Sequence, residues 1–418
     1  MKLTVRPHVF LLTGLLWLVG TAGLGLMLFL GMTMGQGHGQ GERSLHAHGA
    51  LIGGVMQIVA GLLLAGRDRA VSAPAVFAAL NLGTIGLLAG QLQGHSMLMG
   101  VSSLLFLGAF VALKDDLVRQ LRHSAVSGPL GWWFYGVALA SLAVGLLTGI
   151  ASPFRLLPYD FLGQGRLAHI HFLTQGFLLL MVVGAMHAQF PGALGAALHS
   201  ARLARVTFAL LPLGIVVLIA GFLAANLWVQ IGAGAAMLAG AACYSYNIAR
   251  TWMGTGRPRR AASDFCLIAT VFLVVAIACG IGVSVNFLGQ PPYVPFGSLH
   301  LAAYTHLAFV GFMLLSILGA LTDLLPRLLA EERAPSKNKR GPYEAALAAL
   351  IARWSPVQLW TLSTGAMGLF VVAALVWQYP LTSPAVTYAA WASSLLLATG
   401  LTLYVVNVVQ LLLARPEA

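Results

Sequence analysis

The sequence predicts an all-α integral membrane protein, with twelve transmembrane helices in three pseudo-symmetric four-helix repeats and both termini in the cytoplasm. Of its 418 residues, 59% are hydrophobic and only 8% are charged, against roughly 25% charged in a typical soluble domain. Apolar runs of about twenty residues, the length that crosses a bilayer, recur along the whole chain. A mean hydropathy of +0.87 excludes a soluble enzyme, a DNA-binding protein and a disordered chain.

Polar, proline and glycine breaks delimit the predicted helices, which are numbered helix 1 to helix 12 in chain order. Their Leu, Ala, Gly and Val runs lack the alternation of membrane β-strands. Helix 1 follows a short basic start that resembles a signal peptide, but its apolar run is longer than the about 7–15 residues of a signal-peptide core. We expect the helices near residues 8–34, 46–65, 74–94, 97–113, 129–151, 166–188, 203–225, 228–250, 264–288, 299–325, 356–378 and 385–413.

Positive charge divides the predicted loops into two sets. Of the 23 Lys and Arg residues, all except Arg43, Arg155 and Arg166 lie at the termini or on the loops that follow even-numbered helices. Cytoplasmic loops are enriched in Lys and Arg, which predicts a multi-pass protein of the cell inner membrane with cytoplasmic N- and C-termini. The formal charge of +12 therefore reports orientation and implies no nucleic-acid partner.

An internal repeat underlies the predicted architecture. A His-x4-Gly-x7-Gly pattern occurs in helices 2, 6 and 10. We expect a single membrane domain over residues 1–418, made of repeats near 1–125, 126–260 and 261–418. Glycines at these spacings allow neighbouring helices to approach closely. The pattern begins at His48, His171 and His306, and the positions two residues earlier hold His46, His169 and Tyr304.

Residues 330–355 are predicted to form a charged cytoplasmic loop that leads into a short interfacial helix. Four apolar residues in this segment follow the helical spacing i, i+3, i+4, i+7, which places them on one face in the membrane interface. These residues are Leu347, Leu350, Ile351 and Trp354.

Histidines on the outer side are the strongest candidates for chemistry. Helices 2, 6 and 10 all run inward, so their paired positions share one depth near the outer face. Residues i and i+2 on a helix point about 200° apart, so each His-x-His sequence presents imidazoles to two opposite clefts. Imidazole binds haem iron and copper, which makes these clefts candidate haem or copper sites if the three helices surround a common centre. The expected pairs are His46 with His306, His48 with His169, and His171 with His300 or Tyr304.

The pattern resembles subunit I of the haem-copper oxidase superfamily. The segment 304–328 reads Tyr-x-His-x4-Gly-x7-Gly and ends Leu-Pro-Arg-Leu, which is similar to helix 10 of the cbb-type oxidases. In that family the second histidine is an axial ligand of the low-spin haem, and this position matches His306. The partner ligand on helix 2 lies in a Leu-His motif, which matches His46. A second similarity, to the NnrS family of haem- and copper-containing membrane proteins, rests on the His-Ala-His sequence that ends at His48.

Departures from the oxidase pattern argue against a complete oxygen-reducing centre. The helix-10 ligand of the high-spin haem is matched by Tyr304, with His300 one turn earlier as a candidate substitute. The oxidases carry a His-His pair for copper on helix 7, whereas helix 7 of this chain contains no histidine. The tyrosine of their helix 6 is matched by Gln175. No acidic residue is predicted at mid-bilayer, which argues against a proton pump.

The favoured interpretation is a membrane haem protein with one or two b-type haems, and with copper as a further candidate. The first haem is expected between His46 and His306, with Arg43 or Arg166 as propionate partners. The expected chemistry is electron transfer, or binding and reduction of a small gas, NO or O2, with a cytochrome or another respiratory subunit as electron donor. An oxidoreductase of the terminal oxidase or nitric oxide reductase type is one form of this hypothesis.

Two other classes of protein stay open. A polytopic transporter fits the internal repeat, although the predicted spans contain few ionisable residues outside their histidines. A non-catalytic assembly or scaffold subunit of a respiratory complex would keep the fold with or without haem. For the histidines themselves, contact with headgroups and water, or a relic of duplication, is the alternative to metal binding.

Overall fold

Within the described residues of the computed structural model, twelve helices are long and apolar enough to cross a membrane, which confirms the predicted number. In the part of the chain that the structure describes, the regular elements are helical and no strand is present. The protein is therefore built as a multi-pass membrane protein. The described residues are 5–36, 40–65, 73–123, 128–156, 158, 161–256, 260–334 and 336–416.

Most helices begin and end close to the predicted positions, but helix 2 begins six residues earlier, at Gln40, and helix 4 continues ten residues further, to His123. Helices 2, 6 and 10 each contain a central π-helical segment of eight residues, so each has three parts. Helices 1 to 6 are Pro7–Thr33; Gln40–His48, Gly49–Met56 and Gln57–Leu64; Ala73–Gln93; Ser96–His123; Gly128–Ala151; and Leu162–His171, Phe172–Leu179 and Leu180–Leu194. Helices 7 to 12 are Ala201–Leu223; Leu227–Met253; Ala261–Asn286; Ser298–His306, Leu307–Leu314 and Leu315–Arg333; Ser355–Leu375; and Pro384–Leu413.

Helices 6 and 10 extend beyond their predicted ends because they continue through a proline. The sequence places both ends before Pro191 and Pro326, since proline removes a backbone donor and disfavours the helix interior. In the structure both prolines lie inside their helices and are buried. Packing of these turns against the protein outweighs the local preference, and helix 6 ends only at Gly195, which adopts the left-handed conformation with φ 63°.

A helix over Lys337–Ala352 occupies the segment in which the interfacial helix is predicted. Helix 10 reaches Arg333, so this segment is more helical than the sequence suggests. Leu347 and Ile351 are almost completely buried, and this helix contacts helices 10 and 12. Its apolar face therefore packs against protein, and its location in the membrane interface stays a prediction.

The outward faces of the helices carry large apolar side chains. Leu16, Leu82 and Leu213 lie on three different helices, and each exposes more than half of its side-chain surface. In water, contiguous exposed apolar surface of this kind is rare. The exposed leucines fit contact with lipid chains, and a lipid bilayer is the partner that these helices match.

The chain divides into two compact units, whose boundaries do not follow the three predicted repeats. Helices 1, 2, 10, 11 and 12 belong to the second unit, which contains both His46 and His306. Helices 3 to 8 belong to the first unit, which contains His169 and His171. The first unit comprises Met1–Val5, Arg67–Arg257 and Leu273–Val294, and the second comprises Arg6–Gly66, Pro258–Phe272 and Pro295–Ala418.

Helix 1 packs closely against helix 2 at Gly14. A Cβ atom at this position would lie 2.7 Å from the carbonyl oxygen of Gly54 and 2.6 Å from Cγ1 of Ile58. The backbone oxygen cannot move without shifting the whole helix. Glycine is therefore required where the two helix backbones meet, as is common between membrane helices.

Replacing Gly14 with alanine is expected to destabilise the second unit by about 1–3 kcal/mol, the usual cost of overpacking. The matched control is Gly20→Ala, since a Cβ atom at Gly20 would have no neighbour within 4 Å. That control should gain about 0.5–1 kcal/mol from the better helix propensity of alanine. Thermal unfolding of the two variants in the same detergent measures the difference, and equal melting temperatures would contradict the packing argument.

Candidate functional site

The imidazole rings of His46 and His306 lie parallel to each other in the second unit. Their centroids are 5.9 Å apart and their planes differ by 7°. Both side chains are partly exposed. Helix 2 and helix 10 thus bring together the first histidine pair expected from the sequence.

A hydrogen bond to helix 1 holds the ring of His46. Its Nδ1 lies 2.8 Å from the backbone oxygen of Thr21. Because a carbonyl only accepts, Nδ1 carries the ring hydrogen and Nε2 keeps its lone pair. Histidines that bind metals are usually oriented in this way, by a hydrogen bond from the nitrogen that does not bind the metal.

Gly25 gives His46 access to the Thr21 carbonyl. In an α-helix the carbonyl group of residue i points towards residue i+4, and side chains lean towards the helix N-terminus. A side chain at position 25 would therefore cover the oxygen of Thr21. A Cβ atom at Gly25 would lie 2.9 Å from Nδ1 and 3.1 Å from Nε2 of His46, so the imidazole occupies the space that glycine leaves.

His306 is oriented by its own helix. Its Nδ1 lies 2.6 Å from the backbone oxygen of Ala302, which again leaves the lone pair on Nε2. His187 makes the same local contact with the carbonyl of Val183, so this bond alone does not identify a metal ligand. The parallel alignment with His46 is what distinguishes His306.

Arg43 lies beside the start of helix 10. It stands one helical turn before His46, and its Nη1 donates a hydrogen bond to Oγ of Ser298 at 3.1 Å. The guanidinium group is exposed. Arg43 in this position suits a carboxylate on a molecule that His46 binds, because guanidinium binds carboxylates through paired hydrogen bonds.

His300 and Tyr304, the other two candidates on helix 10, have different environments from His306. Nδ1 of His300 accepts a hydrogen bond of 3.1 Å from the backbone N–H of Gly297, so the hydrogen of the neutral ring is on Nε2. The buried ring packs against the indole of Trp377, at 5.3 Å and 17°. The contacts of His300 favour a role in capping helix 10, whose first amides need acceptors. Tyr304 is half-buried, two residues before His306.

His48 and His171 make local hydrogen bonds of the same kind as His306. Nδ1 of His48 lies 2.9 Å from the oxygen of Ser44, and Nδ1 of His171 lies 2.8 Å from the oxygen of Leu167. The ring of His171 also contacts Phe222 on helix 7, with centroids 4.5 Å apart. The pairing of these two histidines with other helices stays a prediction.

His169 repeats the environment of His46 within the first unit. Its Nδ1 lies 2.8 Å from the backbone oxygen of Gly145 on helix 5. A Cβ atom at Gly149, four residues further along, would lie 2.8 Å from Nδ1 of His169. Arg166 stands one helical turn before His169 and is exposed, as Arg43 is before His46.

A π-helical segment follows each repeated histidine. The three segments begin directly after His48, His171 and His306, and each has eight residues. Such segments are rare and occur often at functional sites, where they change the direction of neighbouring side chains. The sequence analysis did not predict them, although the repeated His-x4-Gly pattern marks their register.

The backbone positions that hold the imidazoles are not evident from the sequence. They are two carbonyl groups and two glycines on helices 1 and 5, which directly precede helices 2 and 6 in the chain. A comparison of helix 1 with helix 5 would have shown a glycine at corresponding places. The positions are Thr21, Gly25, Gly145 and Gly149.

Imidazole, the donor group that His46 and His306 supply, is a ligand of both haem iron and copper. Across the described ranges, with their gaps, no group of three or more His, Cys, Asp or Glu residues is placed to hold a metal ion. Haem iron takes only its axial ligands from the protein. His46 and His306 supply two parallel imidazoles, each with Nδ1 close to a backbone carbonyl.

No family model matches the chain, and no curated protein sequence matches it.

Proposed function

We propose that the protein is an integral-membrane haem protein in which His46 and His306 are the two axial ligands of a low-spin b-type haem. The observation that carries the proposal is the parallel placement of the two imidazoles, with centroids 5.9 Å apart. A metal–imidazole bond is about 2.0–2.1 Å long. Two imidazoles on opposite sides of one ion then have centroids roughly 6 Å apart.

The hydrogen bonds of both histidines support this role. Each Nδ1 is bonded to a backbone carbonyl, Thr21 for His46 and Ala302 for His306. These bonds select the tautomer with a lone pair on Nε2, restrict ring rotation and raise the basicity of the ligand. Arg43, one turn before His46 on helix 2, is the proposed partner of a propionate, because guanidinium binds carboxylates.

The proposed reaction at this site is electron transfer. Bound haem supplies one-electron chemistry. If His46 and His306 both bind the iron, they would leave no coordination position for a gas molecule. The site residues therefore orient the haem and exclude other ligands, and a respiratory electron donor and acceptor are the proposed partners.

The relation to oxidase subunit I is part of the proposal. The three π-helical segments at one register after the repeated histidines support a threefold internal repeat. The distribution of Lys and Arg supports cytoplasmic termini in the inner membrane, with the histidines near the opposite face.

The proposal is tested by the reduced-minus-oxidised absorption spectrum of the full chain, purified in detergent from haem-replete cells. We expect a sharp α-band of low-spin b-type haem, with at least one haem per chain by pyridine haemochrome assay. A colourless preparation from cells in which another haem protein is fully loaded would overturn the proposal and favour the transporter or scaffold alternative.

A further inference from the structure

We infer that His169 is an axial ligand of a second haem, bound through the first unit. This inference extends the proposed function, on which it rests only for the identity of the cofactor. The contacts that carry it lie on helices 5 and 6, and it does not require that His46 and His306 bind one haem.

A hydrogen bond between two helices holds His169 in place. Its Nδ1 lies 2.8 Å from the oxygen of Gly145 on helix 5. The bonds of His48 and His171 join residues four apart on the same helix and follow from a common helical rotamer. The bond from His169 to a neighbouring helix instead fixes the orientation of the ring relative to both helices. It also keeps the hydrogen on Nδ1, so that the lone pair stays on Nε2.

Gly149 makes this bond possible, in the same way as Gly25 does for His46. A Cβ atom at Gly149 would lie 2.8 Å from Nδ1 of His169. Glycine within a helix is less favourable than alanine. Because the Gly145 oxygen already lies in a helical ladder, this extra bond adds little to stability, and orienting the imidazole is the effect that accounts for the glycine.

The surroundings of His169 also match those of His46. The side chain of His169 is partly exposed. Arg166 stands one turn earlier at the position that Arg43 has before His46, where a guanidinium suits a propionate. The π-helical segment Phe172–Leu179 begins three residues after His169, as Gly49–Met56 does after His46. An iron porphyrin with carboxylate side groups is the ligand class that combines these features.

Haem content per chain tests this inference separately from the proposed function. We expect two b-type haems in the unaltered protein and one in His169→Ala, with the low-spin signal of the His46–His306 site retained. The reverse variant, His306→Ala, should keep the His169 haem, and the double variant should be colourless. Exogenous imidazole should restore the second haem in His169→Gly.

A second pair of variants guards against a loss of haem through misfolding. Gly149→Ala should lower occupancy of the second haem, whereas Gly136→Ala on the same helix should not, since a Cβ atom there meets nothing within 4 Å. The inference is overturned if the protein binds one haem that only His306→Ala removes, or if metal analysis finds copper in place of the second haem. A single haem removed only by His169→Ala would overturn both the second haem and the ligand pair of the proposed function.

Discussion

Replacing His306 with alanine is expected to abolish the low-spin haem signal of the His46–His306 site. The substitution removes one of two metal–ligand bonds. We expect the haem affinity of that site to fall by more than the roughly 10–100-fold that follows loss of an outer-shell hydrogen bond. His46→Ala should give the same spectrum, and the double variant should add no further change there, because either single change already breaks the pair.

The control for this prediction is His199→Ala. His199 is exposed, and its ring contacts only Tyr246 among the ring contacts described. Absorption and electron paramagnetic resonance spectra of the variants measure the low-spin signal. If His306→Ala keeps the complete low-spin spectrum of the unaltered protein, the ligand assignment is wrong even though haem is bound. Recovery of that signal with added imidazole in His306→Gly would confirm that the lost group is the ligand.

Replacing Gly25 with leucine is expected to remove most of the haem from the same site, although Gly25 is not itself a proposed haem ligand. The space beside the Thr21 carbonyl is filled by the ring of His46, and a Cβ atom at Gly25 would lie 2.9 Å from Nδ1. A leucine side chain therefore displaces the ring and breaks its hydrogen bond. The smaller change Gly25→Ala should lower haem affinity by about 10–100-fold, the usual effect of an outer-shell substitution.

Gly23→Leu is the matched control for this variant. Gly23 lies two residues away on the same helix, and a Cβ atom there has no neighbour within 4 Å. Haem titration of the two variants, together with their thermal unfolding, separates displacement of His46 from general destabilisation. The prediction fails if Gly25→Leu and Gly23→Leu bind haem with equal affinity.

Much of the fold follows from the sequence because a bilayer leaves few alternatives. An apolar run of about twenty residues must satisfy its own backbone hydrogen bonds, and only a helix does so within one segment. The predicted helices therefore agree closely with those of the structure. The predicted ends at Pro191 and Pro326 differ from the structure because burial of these turns outweighs the preference of proline against the helix interior. Such burial is not visible in a single sequence.

The candidate site could be predicted only in part. His46 and His306 stand at repeated positions, so their importance is visible in the pattern. Thr21 and Gly25 were missed because a backbone carbonyl carries no signal in the residue type, and a glycine in a membrane helix is usually a packing residue. The contact of His300 with the backbone N–H of Gly297 was likewise not visible in the sequence, where His300 is a candidate only because it lies one turn before Tyr304.

By itself, the sequence determined that the protein has twelve membrane-spanning helices, and that its ionisable groups near the apolar bulk are mostly histidines at repeated positions. Both results depend on composition and spacing along the chain. Only the tertiary structure decided that the rings of His46 and His306 are parallel and 5.9 Å apart, and that His46 and His169 bond to carbonyls of neighbouring helices. These results depend on how helices rotate and approach one another, which is set by packing between residues far apart in the chain.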